Sequence, residues 1–384
     1  MGAVGLVAGW GLRRARSDLD RSTRSFARRE WAEAERYGRR AAASFAELLS
    51  PGHPATLECR MVLAYALDEQ GRWAESEQEL RLALEGTTGA DHGTERVVSL
   101  SDDLACLLRR TGRLAEAEAV CRRALAGPVV DVGPFRTAAQ RTLAMTVGDL
   151  GRHAEAAELY RSIAGSAAAA PAAQARSNVL SHLAYLGRYE EVEAEAEALG
   201  GTYSGLDDAV RVRTALSVTN SVAIGLAFRG RHGEAEALLR PALADAGRDG
   251  LDDFTVVLGA NLARALTGQG RGEEALAVVS AVAGDGGPED ESTLAFARAS
   301  AQLAAGRFVD AEADARKAVE LCGRYLAPVH HRTLEARTVL AAAVVRQGRP
   351  EGEELREAVL ADWVAHFGAE HHGARQARGV GRER

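Results

Sequence analysis

Ten histidines and four cysteines are the side chains of this 384-residue chain with the widest scope for metal or redox chemistry. The adjacent pairs His330-His331 and His371-His372 could each offer two imidazoles. Glu335, four residues after His331, is the one carboxylate at helical spacing from either pair, and no thiol joins it, so neither pair reads as a local zinc motif. Cys59, Cys106, Cys121 and Cys322 show no C-x-x-C spacing, and the pattern around them predicts helical segments with buried thiols. A nucleophile elbow of the form G-x-S-x-G is absent from the sequence. So are a phosphate-cradling G-x-x-x-x-G-K-[ST] and a dinucleotide G-x-G-x-x-G after a strand. The sequence therefore assigns no catalytic residue, metal ligand or cofactor. Five of the histidines (His53, His92, His330, His331, His371) recur inside similar short segments, with His372 adjoining the last, so repetition accounts for them without catalysis.

Composition narrows the class of element that could position any site. The chain is 46% hydrophobic, 26% charged and 5% aromatic, which excludes disorder and collagen. Heavy use of Ala, Arg, Glu and Leu, with Lys317 as the single lysine, points to helices and to a GC-rich genome. Net charge is −7, made of +4 over residues 1–50, +3 over 375–384 and −14 between. An acidic body argues against nucleic acid, which needs a basic stripe. The apolar run Met1 to Leu12, followed by Arg13, Arg14 and Arg16, is too short to span a bilayer alone and has its charge on the wrong side for a signal peptide. It reads as a packed or frayed helix, or alternatively as the stub of a membrane anchor placed on the cytoplasmic side.

A Gly-Arg pair followed by an acidic, alanine-rich stretch recurs at Gly71, Gly112, Gly151, Gly187, Gly230, Gly270, Gly306 and Gly348. A degenerate copy carries Arg29 in the glycine's place. Successive intervals are 42, 41, 39, 36, 43, 40, 36 and 42 residues. Apolar residues keep a helical rhythm on both sides of each turn, so each unit predicts two helices joined at the glycine. Small residues occupy fixed offsets: Ala64, Ala105, Ala144, Ala223, Ala263, Ala299 and Ala341 before the turn, and Ala117, Ala156, Ala235, Ala275 and Ala311 after it. Methyl-sized side chains on facing stripes allow close helix approach while neighbouring leucines fill the grooves. Leu180 and Val192 near Gly187, and Pro350 and Glu353 near Gly348, break the pattern and mark the two weakest units. Interruptions are expected at Gly127 to Pro134, Gly165 to Pro171, Gly200 to Gly205 and Gly284 to Asp290, the last being the richest in glycine.

These residues resemble the tetratricopeptide repeat, in the longer form found in kinesin light chains and many bacterial proteins. The likeness rests on the Leu-Ala pair, the turn glycine, a large residue two positions on (Trp73, Leu114, Tyr189, Phe308) and the small residues after it. It extends to the linker Pro51-Gly52-His53-Pro54-Ala55-Thr56, with decayed copies at Gly89 to Thr94, Pro328 to Thr333 and Gly368 to His372. The resemblance implies an all-α, right-handed superhelical solenoid of about nine antiparallel helical hairpins over residues 20–372. An apolar and basic segment (1–19) would precede it, and an unpacked basic tail (373–384) would follow.

The resemblance also implies a function. First helices of such repeats line a concave groove that takes an extended or helical peptide from a partner protein. The corresponding offsets mark Met61, Tyr65, Arg141, Met145, Asn178, Ser181, Asn220, Ile224, Asn261 and Arg264, where asparagines could bond a bound backbone. A chaperone-tail clamp would need lysines in the groove, and Lys317 falls on a second helix. The expected role is a non-enzymatic, cytoplasmic interaction scaffold. The alternative is a peptide-sensing regulatory receptor without its own DNA-binding domain.

Overall fold

The computed structural model describes residues 2–87, 94–126, 133–200, 205–282 and 287–381. Among them the chain forms nineteen helices and no strand. Nine helix–turn–helix units follow in order. They are α1 (Gly2–Ala27) with α2 (Trp31–Leu48), α3 (Pro54–Asp68) with α4 (Trp73–Gly86), and α5 (Thr94–Arg110) with α6 (Leu114–Leu125). Next are α7 (Gly133–Asp149) with α8 (His153–Ser166), α9 (Ala169–Tyr185) with α10 (Tyr189–Gly200), and α11 (Asp208–Phe228) with α12 (His232–Arg248). The array continues with α13 (Asp252–Gly268) and α14 (Gly272–Ala281), α15 (Pro288–Ala304) and α16 (Phe308–Tyr325), and α17 (His331–Arg346) and α18 (Glu351–Phe367). A last helix, α19 (His372–Gly379), closes the order. The all-α architecture read from the repeat is the one found.

Each turn ends its first helix by one backbone device. At the second turn the Gly71 N–H donates to the Asp68 carbonyl at 2.8 Å and the Arg72 N–H to the Leu67 carbonyl at 2.9 Å. This paired closure satisfies carbonyls that the helix end leaves bare, and it needs a positive φ at its pivot. The eight turn glycines supply φ values of 70° to 82°. At the degenerate first turn Arg29 takes φ 60°, the only non-glycine residue with positive φ among the described residues, and makes the same two bonds. The arginine after the pivot has its own task. Arg72 binds Glu75 on its own helix and Glu35 one repeat back, and Arg271 repeats this with Glu274 and Glu236. Such exposed pairs contribute ~0.2–1 kcal/mol each, so they tune register more than they hold the fold.

Packing follows the alanine stripes. Ala64, Ala105, Ala144, Ala223, Ala263, Ala299 and Ala341 are fully buried, as are Ala117, Ala156, Ala235, Ala275 and Ala311. Both weak units fold: Leu180 and Val192 fill the core beside Tyr160 and Leu183, and Pro350 caps α18. Glu353 stays exposed. The interruption expected over Gly165 to Pro171 shrinks to two residues, because α8 runs to Ser166 and α9 starts at Ala169.

The segment after residue 372 was expected to be unpacked and is instead helix α19, with Ala374 and Ala377 fully buried. Gly373 lets this helix lie on Trp363, since a Cβ there would come within 2.6 Å of the indole. Residues 88–93, which include His92, and the expected interruptions at 127–132, 201–204 and 283–286 lie outside the described residues. None of the described helices is long and apolar enough to cross a membrane.

The chain divides into two compact units, Met1–Leu143 and Ala144–Arg384, with the boundary inside α7.

Candidate functional site

In the first unit the sequence-marked residues Met61 and Tyr65 stand half-buried on α3, and Arg141 is exposed on α7. What they face was not marked. The Tyr65 hydroxyl donates to Asp103 Oδ2 at 2.7 Å, from α3 to α5. Beside it Asp102 has a buried Oδ1 with no hydrogen-bond partner among the described residues. Burial pushes both carboxyls up, Asp103 to about 6 against a relief from the Tyr65 hydrogen bond, and Asp102 against a pull from Thr142 and the Arg141 charge. Phe26 lies 6.2 Å from the Tyr65 ring and extends the patch to α1. Two adjacent carboxylates held partly out of water, one oxygen unsatisfied, and an aromatic–thioether rim make a surface suited to a cationic group. The asparagine and arginine offsets carried over from the repeat gave no signal for these acids. The Asp102-Asp103 pair itself, on an otherwise apolar helical face, was the available clue.

In the second unit most marked residues are already partnered within the chain. Asn261 Nδ2 donates to Asn220 Oδ1 at 2.8 Å, so the asparagines bond each other. Ser181 and Ser221 share a hydrogen bond of 2.8 Å, and Gln174 Nε2 reaches Asn178 Oδ1 at 3.5 Å. Met145 packs against the Tyr160–Leu183 core, and Ile224, expected to line an open groove, is 2% exposed within it. Arg264 does point inward, but its guanidinium meets Glu335 of α17 through two bonds of 2.7 and 3.0 Å. The ring of Phe228 lies under the same guanidinium, 5.0 Å from it, and stacks on His372 of α19 at 3.6 Å. Tyr185 of α9 stacks on His331 of α17 at 3.6 Å, and its carbonyl is 2.8 Å from His371 Nε2. The inner face of α9, α11 and α13 is therefore covered by α17 and α19 of the same chain.

The histidines divide by role. His53, His330 and His371 each cap a helix: Nδ1 accepts the N–H two residues on at 3.2 Å, with φ near −63° in all three. Thr56 and Thr333 bond back six residues to complete the linker. Repeat chemistry thus explains the first histidine of each pair. The second of each, His331 and His372, is used for the interior contacts above.

Among the described residues, His153, His330 and His331 bring one ring nitrogen each within 4.8 Å of one another. Their chemistry opposes a cation. The His330 Nδ1 that caps α17 is an acceptor, so its proton sits on Nε2 and no lone pair remains there for a metal. His153 spends Nε2 on His331 and Nδ1 on His182, each at 3.0 Å. Arg264 and Arg332 already add positive charge around the rings.

Comparison with known proteins gives the architecture a family. Two family models, both described as tetratricopeptide repeat, match residues 21–55, 56–90 and 98–127, and residues 223–241 and 256–280. The chain carries tetratricopeptide repeats. A tetratricopeptide repeat protein from Parabacteroides merdae ATCC 43184 is 18% identical with a TM-score of 0.53, over 75% of this chain and 98% of that one, a likeness of fold. A putative kinesin light chain with nearly identical TPR-like repeats from Podosopora anserina is 20% identical with a TM-score of 0.43, over 50% and 96%. A Rap protein complexed with Competence and Sporulation Factor is 12% identical with a TM-score of 0.46, over 73% and 80%. No curated protein matches the sequence.

Proposed function

We propose that this protein is a non-enzymatic interaction scaffold that binds a cation-bearing segment of a partner protein along the inner face of α3, α5 and α7. Tetratricopeptide repeats typically mediate protein–protein interaction, and that coarse role is the starting point. The observation that carries the finer reading is Asp102, whose buried Oδ1 has no partner among the described residues, beside an Asp103 that burial disfavours as an anion. Holding two such carboxylates costs stability, a cost that a bound guanidinium or ammonium would offset with charge-assisted hydrogen bonds. Met61, Tyr65 and Phe26 supply apolar contact for the remainder of the segment.

The test is fluorescence anisotropy with labelled peptides in matched arginine-rich and glutamate-rich series, against the full chain. Arginine peptides should bind with Kd on the order of micromolar, about −8 kcal/mol, and the glutamate series should not bind measurably. Asp102→Asn with Asp103→Asn should weaken binding at least about tenfold, roughly 1.4 kcal/mol. Asn178→Ala in the second unit should leave it unchanged. Equal binding of both series, or indifference to the aspartate substitutions, removes this reading.

A further inference from the structure

The second unit buries a set of imidazoles that serve no cap and no site described above. His153 is 1% exposed and His331 4%. They form a chain: His331 Nδ1 to His153 Nε2, then His153 Nδ1 to His182 Nδ1, both at 3.0 Å. A neutral ring has one donor and one acceptor, so three neutral histidines satisfy this chain head to tail. His372 continues the contact surface, with Nδ1 3.2 Å from the Tyr189 hydroxyl and its ring on Phe228. The contacts join α17 and α19 to α8, α9 and α10 across 178 to 186 residues of chain, and to α11 through Phe228 and His372. Covalent neighbours therefore do not hold these surfaces together; the rings share that contact with the Arg264–Glu335 pair.

We infer that α17 and α19 form a proton-sensitive latch over the inner face of α9, α11 and α13, closed while these imidazoles are neutral and released when they are protonated. A protonated His153 has two donors and no acceptor, so the neighbour that donated to it must shift its own proton to its other ring nitrogen or turn away, and a buried imidazolium is left bonded only to rings, with no carboxylate on it among the described residues. A second proton on His331 or His182 would place like charges within hydrogen-bond distance.

The charged and titratable surroundings favour release on protonation. From α17 come His330, Arg332 and Glu335; from α13, Arg264; from α12, His232; from α19, His371 and Arg375. Tyr185 of α9, Tyr189 of α10, Arg229 of α11 and Tyr325 of α16 complete the shell, and α7 offers the Asp149 carbonyl to the Ala327 N–H at 3.0 Å. The carboxylates facing it are Glu335, already paired with Arg264, and Glu289 of α15 on the Arg332 side. His372 Nε2 is 4.0 Å from Glu335 Oε1, within ion-pair reach, but Glu335 already holds the Arg264 guanidinium through two bonds, so its one charge is shared.

Burial holds His153, His330, His331 and His372 well below the ordinary imidazole value and His182 down to about 4. Neighbouring charges add to this for all but His182. The sign follows. A histidine depressed in the closed state and ordinary in the open one favours opening once pH falls below about 6.5, and favours closure above it. Each proton taken up on opening multiplies the open population about tenfold per pH unit, so two protons give about a hundredfold.

Hydrogen–deuterium exchange of the full chain, corrected for intrinsic rates, reads this directly. Between pH about 7.5 and about 5.5, protection in residues 327–336 and 371–379 should fall at least about tenfold, while α2, α4 and α6 keep theirs. His331→Phe with His372→Phe keeps both ring stacks and removes two proton acceptors, and should move the midpoint down by about half a pH unit or more. If that pair does not fold at neutral pH, imidazole Cε1–H titration by NMR on the wild-type chain decides. Several depressed histidines titrating together with a slope above one support the latch. Protection lost equally in α2 to α6, an unmoved midpoint in the folded variant, or independent titrations near the ordinary value would each overturn it.

Discussion

The first and second units build their inner faces from the same repeat and finish them differently. On α9, α11 and α13 several polar side chains are paired internally, Asn220 with Asn261, Ser181 with Ser221, and Arg264 with Glu335, while Arg264 Nε and Thr267 Oγ1 are buried without a partner among the described residues. On α3 and α5 a carboxylate pair stands with an unsatisfied oxygen and an anion that burial disfavours. One face is thus largely paired within its own chain, and the other holds two adjacent carboxylates at a stability cost that a cationic ligand would offset on the function proposed above. Residues at equivalent repeat offsets can therefore be structural in one unit and available in the other, and no offset rule separates them.

The sharpest way to break this contrast is Glu335→Gln. Arg264 would lose its partner in an enclosed setting, which costs ~3–5 kcal/mol in comparable buried pairs. Urea unfolding followed through Trp363, packed at the α18–α19 contact, should show the loss; a change below about 1 kcal/mol would mean that the second inner face is wetter than described.

A moderate effect of opposite sign is expected on the other face. Asp103 is raised to about 6 from 3.8 by burial, so its ionised form weakens the fold at neutral pH. Asp103→Asn should raise stability at pH about 7.5 by ~1–3 kcal/mol. That gain should shrink as pH falls from about 6 towards about 4, where the wild-type carboxyl takes up its proton. Calorimetric melting across that range, paired with peptide anisotropy, separates the readings: a site gives higher stability and weaker binding together. A merely structural Asp103 would lower stability at every pH.

The smallest expected effect tests what the two units share. Arg29 holds the positive φ that glycine holds at the other eight turns. Arg29→Gly should raise stability by ~1 kcal/mol, read as a small upward shift in Tm, by removing left-handed strain. A loss instead would mean that the Arg29 side chain has contacts worth more than the strain.

Much of this was legible from residues alone. The turn glycines, the Arg29 substitute and the alanine stripes each report a short-range steric requirement, and all are met where the sequence put them. The packing of α19 was not, because a basic octapeptide gives little sign that Gly373 and Ala374 fit beneath Trp363. Nor was the division of the histidines. His330 and His331 are neighbours of one type, yet one caps a helix and the other stacks on Tyr185 from a helix far away in sequence.

The sequence by itself determined the repeat: its period, its turns and the faces that pair within each unit. These depend on contacts between residues a few tens of positions apart, where backbone sterics and side-chain volume decide. Only the tertiary structure decided which inner face is closed. Bringing α17 and α19 against α8 to α11 requires small rotations summed over several repeats, and no local pattern encodes that sum. The chemistry of Arg264, His153 and His331 follows from that closure, whereas Asp102 and Asp103 owe theirs to burial on α5 within the first unit.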